Sequence, residues 1–214
     1  MARAWRHGRV LLLAVVSVSY LCAIHFTVVA GQPSSVGALL AVLPLALAAF
    51  AMAWTSRSRG LALLLWSAAF LALVGLWPVL ESRFEWVYFL QHAGVFSLLA
   101  LGFGRSLAPG AEPLVSRFAR VSHGALAPEV ARYTRRVTVA WALFFAGLVL
   151  VSVLFFINGQ TGLWSLFINF ITPVSIGLMF VVEFAVRSVV LPRALRTGFA
   201  ESIRAFLHIR RNVG

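Results

Sequence analysis

Lysine and aspartate are absent from this chain of 214 residues: all 18 basic residues are arginine and all 6 acidic ones are glutamate. Charge of either sign is scarce, at 11% of residues, where an average globular chain carries roughly a quarter. Without aspartate, the metal sites of many membrane phosphotransferases and two-metal hydrolases have no obvious ligand set. The patterns G-x-S-x-G and H-E-x-x-H are missing as well, which removes the familiar serine-hydrolase and zinc-protease signatures. Cys22 is the single cysteine, so no intrachain disulfide can form.

What fills the chain instead is apolar. Hydrophobic residues make up 61% of it and the mean hydropathy is +0.94. A soluble chain of this length cannot bury so much apolar surface, so its main solvent is expected to be lipid. Six runs are long enough to cross about 30 Å of hydrocarbon: 10–30, 36–54, 61–79, 86–103, 137–157 and 163–185. The expected fold is all-α: one polytopic membrane domain of six transmembrane helices, with short amphipathic helices on the cytoplasmic side. The first run resembles a signal peptide ending at Val28-Val29-Ala30. Its apolar stretch is longer than the usual 7–15 residues of a signal core, so it is expected to be retained.

The arginines give the orientation. Arg3, Arg6 and Arg9 precede the first run, and Arg57 and Arg59 fall between the second and third. Arg105, Arg117, Arg120, Arg132, Arg135 and Arg136 lie between the fourth and fifth, and the remainder follow the sixth. Only Arg83 falls on the other side. The positive-inside rule makes the arginine-rich side cytoplasmic, with both termini inside and the protein in a bacterial inner membrane. The formal net charge of +12 is thereby largely topology, and nucleic acid is not an expected partner. Membrane lipids are.

The outer connections 31–35, 80–85 and 158–162 are too short for a folded domain, whereas the cytoplasmic segment 104–136 is substantial. Leu114, Phe118 and Val121 recur there at helical spacing, which predicts a short amphipathic helix over 113–123. Pro128 and Glu129 suit the first turn of a helix that can run directly into the fifth span. The tail 192–214 carries Leu195, Phe199, Ile203 and Phe206 on one face, and Glu201, Arg204, His208 and Arg211 on the other. It reads as a basic amphipathic helix on the anionic inner leaflet.

Polar residues inside the spans are costly and tend to face the bundle interior or a cavity. His25, His92 and Asn169 fall at similar depth, roughly 8–11 Å below the outer interface at 1.5 Å per residue. Gln91 adjoins His92. Two kinds of reading stand: interhelical hydrogen bonds that fix packing, or a functional site in the form of a polar outer pocket, a proton relay or a metal site. No cofactor is called for, and two isolated histidines without a close-spaced partner are a weak metal signal. Glu183, the acid inside the sixth span, precedes Arg187 by four residues and is expected to pair with it, or else to reach Arg105 or the 132–136 cluster. Pro44 and Pro173 are expected to kink their helices, and Ala46, Ala49 and Ala53 to form a small-residue packing face.

The run FGRSLAPGAEPLVSRFARVSHGALAPEVARYTRRVTVAWALFF, residues 103–145, resembles the signature loop of a small family of bacterial inner-membrane proteins. These are encoded with acyl carrier proteins, ketosynthases and acyltransferases of aryl-polyene or related fatty-acyl pathways. Glu183 fits the same pattern, followed by a basic run here reduced to Arg187, Arg193 and Arg196, and the resemblance fades over the first two helices. It implies a pathway rather than an activity. Ketosynthase chemistry cannot reside here, because Cys22 lies within a span. Three function classes follow. In the first, an accessory protein docks an acidic acyl carrier protein or a phosphorylated acyl intermediate through Arg105, Arg117, Arg120, His123, Glu129, Arg132, Arg135 and Arg136. In the second, a lipid or small-molecule transporter or flippase uses the outer polar residues. In the third, a membrane acyl- or lipid-modifying enzyme uses His123 and Glu129 as an acid–base pair.

Overall fold

The computed structural model describes residues 2–123 and 126–190, and the side chains of all of these except 2–7, 9, 10, 13, 14, 122 and 123. The expected amphipathic tail 192–214 lies outside the described residues. Among those described there is no strand. The helices are α1 (Ala2–Ala30), α2 (Ser35–Thr55), α3 (Arg59–Gly75), α4 (Trp77–Ser82), α5 (Phe84–Arg105), α6 (Leu114–His123), α7 (Pro128–Ile157), α8 (Thr161–Leu166) and α9 (Thr172–Val190). A π-helical turn, Phe167–Ile171, joins α8 to α9.

Four helical stretches are long and apolar enough to cross a membrane: Ser35–Thr55, Phe84–Arg105, Pro128–Ile157 and Thr161–Val190. Val15–Ala30 and Arg59–Gly75 are apolar but shorter. The polarity of the packing is inverted relative to a water-soluble protein. Leu98 is 72% exposed and Val174 70%, while Thr138, Ser152 and Ser165 are fully buried. Water would drive the opposite arrangement, whereas lipid accepts the aliphatic exterior and leaves polar groups to pair inside.

Several expected boundaries move. The third run, 61–79, is not one helix: α3 stops at Gly75 and α4 begins at Trp77. Pro78 in the first turn of α4 explains the break, since a proline disfavours helical backbone before it and cannot donate to the preceding turn. The expected loop 80–85 is correspondingly helical except at Arg83. The sixth run is continuous but contains the π turn, in which the Thr172 amide bonds the Phe167 carbonyl five residues back. Pro173 follows immediately. A proline ring crowds the carbonyl four residues before it, and a widened turn at that point relieves the clash. Helix α7 begins at Pro128 as its spacing suggests and has 30 residues, about 45 Å at 1.5 Å each. That exceeds the hydrocarbon thickness, so its first turns can stand clear of it.

The described chain forms two compact units. The first comprises residues 2–92 and Ser152–Thr172. Its core gathers Ile24, Val28, Ala38, Ala41, Phe84, Tyr88 and the fully buried Trp164. Gly31, at φ +63°, ends α1 in the left-handed region that glycine occupies without penalty. The Ser34 hydroxyl then caps α2 by accepting from the Gly37 amide at 3.1 Å. The Ser34 amide donates to the Glu81 carbonyl at 3.1 Å, and Ser35 and Trp77 both donate to the Glu81 carboxylate. The close face of α2 is Gly37, Ala38 and Ala41; of the alanines expected to play this part, Ala46, Ala49 and Ala53, only Ala53 is buried. Lipid provides no hydrophobic force between helices, so this close approach contributes dispersion and direct hydrogen bonds instead. Tyr88 donates to the Gly37 carbonyl at 3.2 Å and Gln91 to the Ala41 carbonyl at 2.7 Å.

The second unit comprises residues 93–151 and 173–190. Trp141 and Phe145 are buried in an aromatic cluster with Phe103 and Phe180, the Trp141 and Phe180 ring centres lying 4.8 Å apart.

Candidate functional site

Helix α6 is pinned to the start of α7 by hydroxyl groups one turn apart. Ser116 bonds Thr134 at 2.7 Å, both side chains buried, and the Val115 amide donates to Thr138 Oγ1 at 3.3 Å. The Leu114 amide donates to Ser106 Oγ at 3.1 Å. Two of the amides that a helix start leaves without intrahelical partners are thereby satisfied. This arrangement sends the small residues of α6 against α7 and leaves Phe118 and Val121 on the exposed side.

Beside this contact lies an open cavity of about 1040 Å³. Its lining draws Arg120 from α6, Arg132 and Arg135 from α7, Glu112 and Pro113 from the preceding turn, and Leu126 from the linker, with Ala111, Ser116 and Ala131 completing it. Arg132 and Arg135 share a face because they are three residues apart on a helix. Arg120 is ion-paired with Glu112. One Nη of Arg135 donates to the Leu107 carbonyl at 3.2 Å, which aims that guanidinium. Of the residues expected to bind an anionic partner, the structure thus brings together Arg120, Arg132 and Arg135. Arg105, Arg117, Glu129 and Arg136 are exposed and stand outside the lining. The side chain of His123 lies outside the described ones, and with it the His123–Glu129 pair.

Glu183 holds a second polar cluster within the same unit. One carboxylate oxygen meets Arg187 at 3.2 Å, and the other accepts from the Tyr133 hydroxyl at 3.2 Å. Arg105 and the 132–136 arginines are not its bonded partners among the described residues. Tyr133, buried on α7, went unnoticed in the sequence, since its pairing with a residue 50 positions away leaves no local trace.

The polar residues expected near the outer interface sort into two groups in the first unit. His25 Nδ1 and Ser165 Oγ are hydrogen-bonded at 3.0 Å, and Asn169 Nδ2 donates to Ser165 Oγ at 3.2 Å and to the Ser165 carbonyl at 2.9 Å. His92 Nε2 is bonded to Thr172 Oγ1 at 3.3 Å. His25 and Asn169 are therefore linked through Ser165, while His92 and Gln91 are engaged elsewhere. Trp164 Nε1 donates to the buried Ser152 at 3.0 Å. Ser152, Ser165 and Thr172 carried no sequence signal beyond being hydroxyls in apolar runs. No three His, Cys, Asp or Glu residues converge on a metal-sized site among the described residues. Comparison with protein-family signatures, curated proteins and solved structures finds no match to this chain.

Proposed function

We propose that this chain is a six-span protein of a bacterial inner membrane, with both termini in the cytoplasm, that docks an acidic acyl carrier protein or a phosphorylated acyl intermediate. The docking face is the arginine-lined cavity beside α6, and the setting is a fatty-acyl or aryl-polyene-type lipid pathway. The observation that carries this reading is convergence: Arg120, Arg132 and Arg135 come from two helices and meet in one open cavity. Topology asks for positive charge on this side, but it does not ask for three guanidinium groups around one space. Planar guanidinium forks onto phosphate and carboxylate in pairs of bonds, and an acidic carrier would be steered toward it.

The orientation draws on the arginine distribution and on the first unit. There the Ser34–Glu81 bond joins the turn after α1 to the last turn of α4, just before α5. His25, five residues before the end of α1, meets Ser165, four residues after the start of α8. The connections expected outside thus gather at one end of that unit, with Arg83 the sole arginine among them. The transport reading draws less support, because His25, Gln91, His92 and Asn169 are engaged in hydrogen bonds typical of helix packing.

The test compares two lysine-substituted proteins. Lysine keeps the charge that topology and headgroups need but cannot make the planar bidentate contact. Arg120, Arg132 and Arg135 replaced together by Lys should insert normally and lose about tenfold or more in affinity for an acyl carrier protein bearing an octanoyl-phosphopantetheine arm. Arg117 and Arg136 replaced by Lys, outside the cavity, should leave that affinity unchanged. Equal binding by both proteins would return the arginines to topology alone.

A further inference from the structure

The pairing of Glu112 with Arg120 sits on the cavity itself, and both side chains contribute to its wall. The carboxylate therefore occupies the place at Arg120 that an incoming anion would take. Arg120 is 57% exposed and Glu112 27%, and a solvent-accessible ion pair of this kind is weak enough to be exchanged. The α6 start offers no competing anion site through its Leu114 and Val115 amides, which are bonded to Ser106 and Thr138. An anion in this cavity is read by side chains.

Apart from Ser116, whose hydroxyl is bonded to Thr134, the rest of the wall is apolar: Ala111, Pro113, Leu126 and Ala131. A free phosphate would leave these residues facing water, whereas an apolar chain attached to the phosphate would cover them. We propose that the cavity takes a phosphate ester carried on an acyl chain, and that Glu112 is its gate, holding Arg120 until the ligand phosphate displaces the carboxylate. This rests on the docking reading above, narrows its ligand to the acyl phosphate ester, and adds an internal competitor. The shared chemistry could reach the site on a lipid headgroup or on a phosphopantetheine arm. In either case Arg132 and Arg135 receive the anion first, and release of Glu112 brings in the third guanidinium.

Calorimetric titration of the full chain in a mild detergent tests this with three probes: dioctanoyl phosphatidic acid, octanoyl-phosphopantetheine and inorganic phosphate. The tighter of the two acyl probes identifies the source, and inorganic phosphate should bind about tenfold or more weakly than that probe. Glu112→Gln should tighten the better acyl probe by about threefold to fivefold, the range a solvent-accessible pair permits when it no longer competes. Glu85→Gln, which changes the net charge equally at the start of α5, should not. Unchanged or weaker binding by Glu112→Gln, or equal tightening by Glu85→Gln, would overturn the gate. Parity of inorganic phosphate with the acyl probes would overturn the acyl-phosphate assignment. Arg132→Gln separates the two levels. If it weakens the wild-type interaction while Glu112→Gln has no effect, docking stands and the gate falls. If the wild-type chain binds neither acyl probe, the docking reading falls with it.

Discussion

Glu183 is held from two sides, by Arg187 on its own helix and by Tyr133 on α7. The ion pair was legible from the four-residue spacing alone. The tyrosine was not, because nothing local connects residues 50 apart. This difference decides a mutational outcome. Exchanging the charges, Glu183→Arg with Arg187→Glu, preserves a pair on paper but moves the carboxylate one turn away from the Tyr133 hydroxyl. The double variant should therefore recover only part of the thermal stability lost in Glu183→Arg, with Tyr133→Phe alone costing about 1 kcal/mol. Full recovery in a thermal-shift measurement would show the tyrosine contact to be immaterial. Glu183→Ala should cost about 3–5 kcal/mol, because it strands a guanidinium only 19% exposed, and Glu183→Arg at least as much, because it also sets a like charge four residues from Arg187.

At the scale of elements, the contact of α2 with Phe84 depends on the absence of one atom. A Cβ at Gly37 would come within 2.8 Å of the buried Phe84 ring, so Gly37→Ala should destabilise by about 1–3 kcal/mol through overpacking. Adding Phe84→Leu should restore much of the loss in the same unfolding assay, and failure of that rescue would place the strain elsewhere. Helix existence was readable from hydropathy and from the spacing of Leu114, Phe118 and Val121. Helix continuity was not. Mean hydropathy does not distinguish one long run from two helices, so the break at Leu76 went unseen although Pro78 stood beside it as a signal, and at Pro173 a kink was expected but not the π turn at Phe167–Ile171. The site behaved alike. The sequence supplied the inventory of arginines, but which of them converge depends on how α6 lies on α7, set by Ser116, Thr134 and Thr138.

For the whole molecule, the exposed aliphatic side chains suit lipid, and the side on which the arginines lie is part of the proposal. The docking proposal requires the turn before α6 to face the compartment where acyl carriers and acyl phosphates are made. Cys22 is the only cysteine, so a Cys22→Ser background makes side-specific labelling unambiguous. Single cysteines at Ala108, beside the cavity-forming turn, and at Gln32 and Gln160, in the short connections expected outside, sample both faces at exposed positions. With a membrane-impermeant maleimide on intact cells, the account predicts that Gln32→Cys and Gln160→Cys label, while Ala108→Cys labels only after permeabilisation. Labelling of Ala108→Cys in intact cells would contradict it.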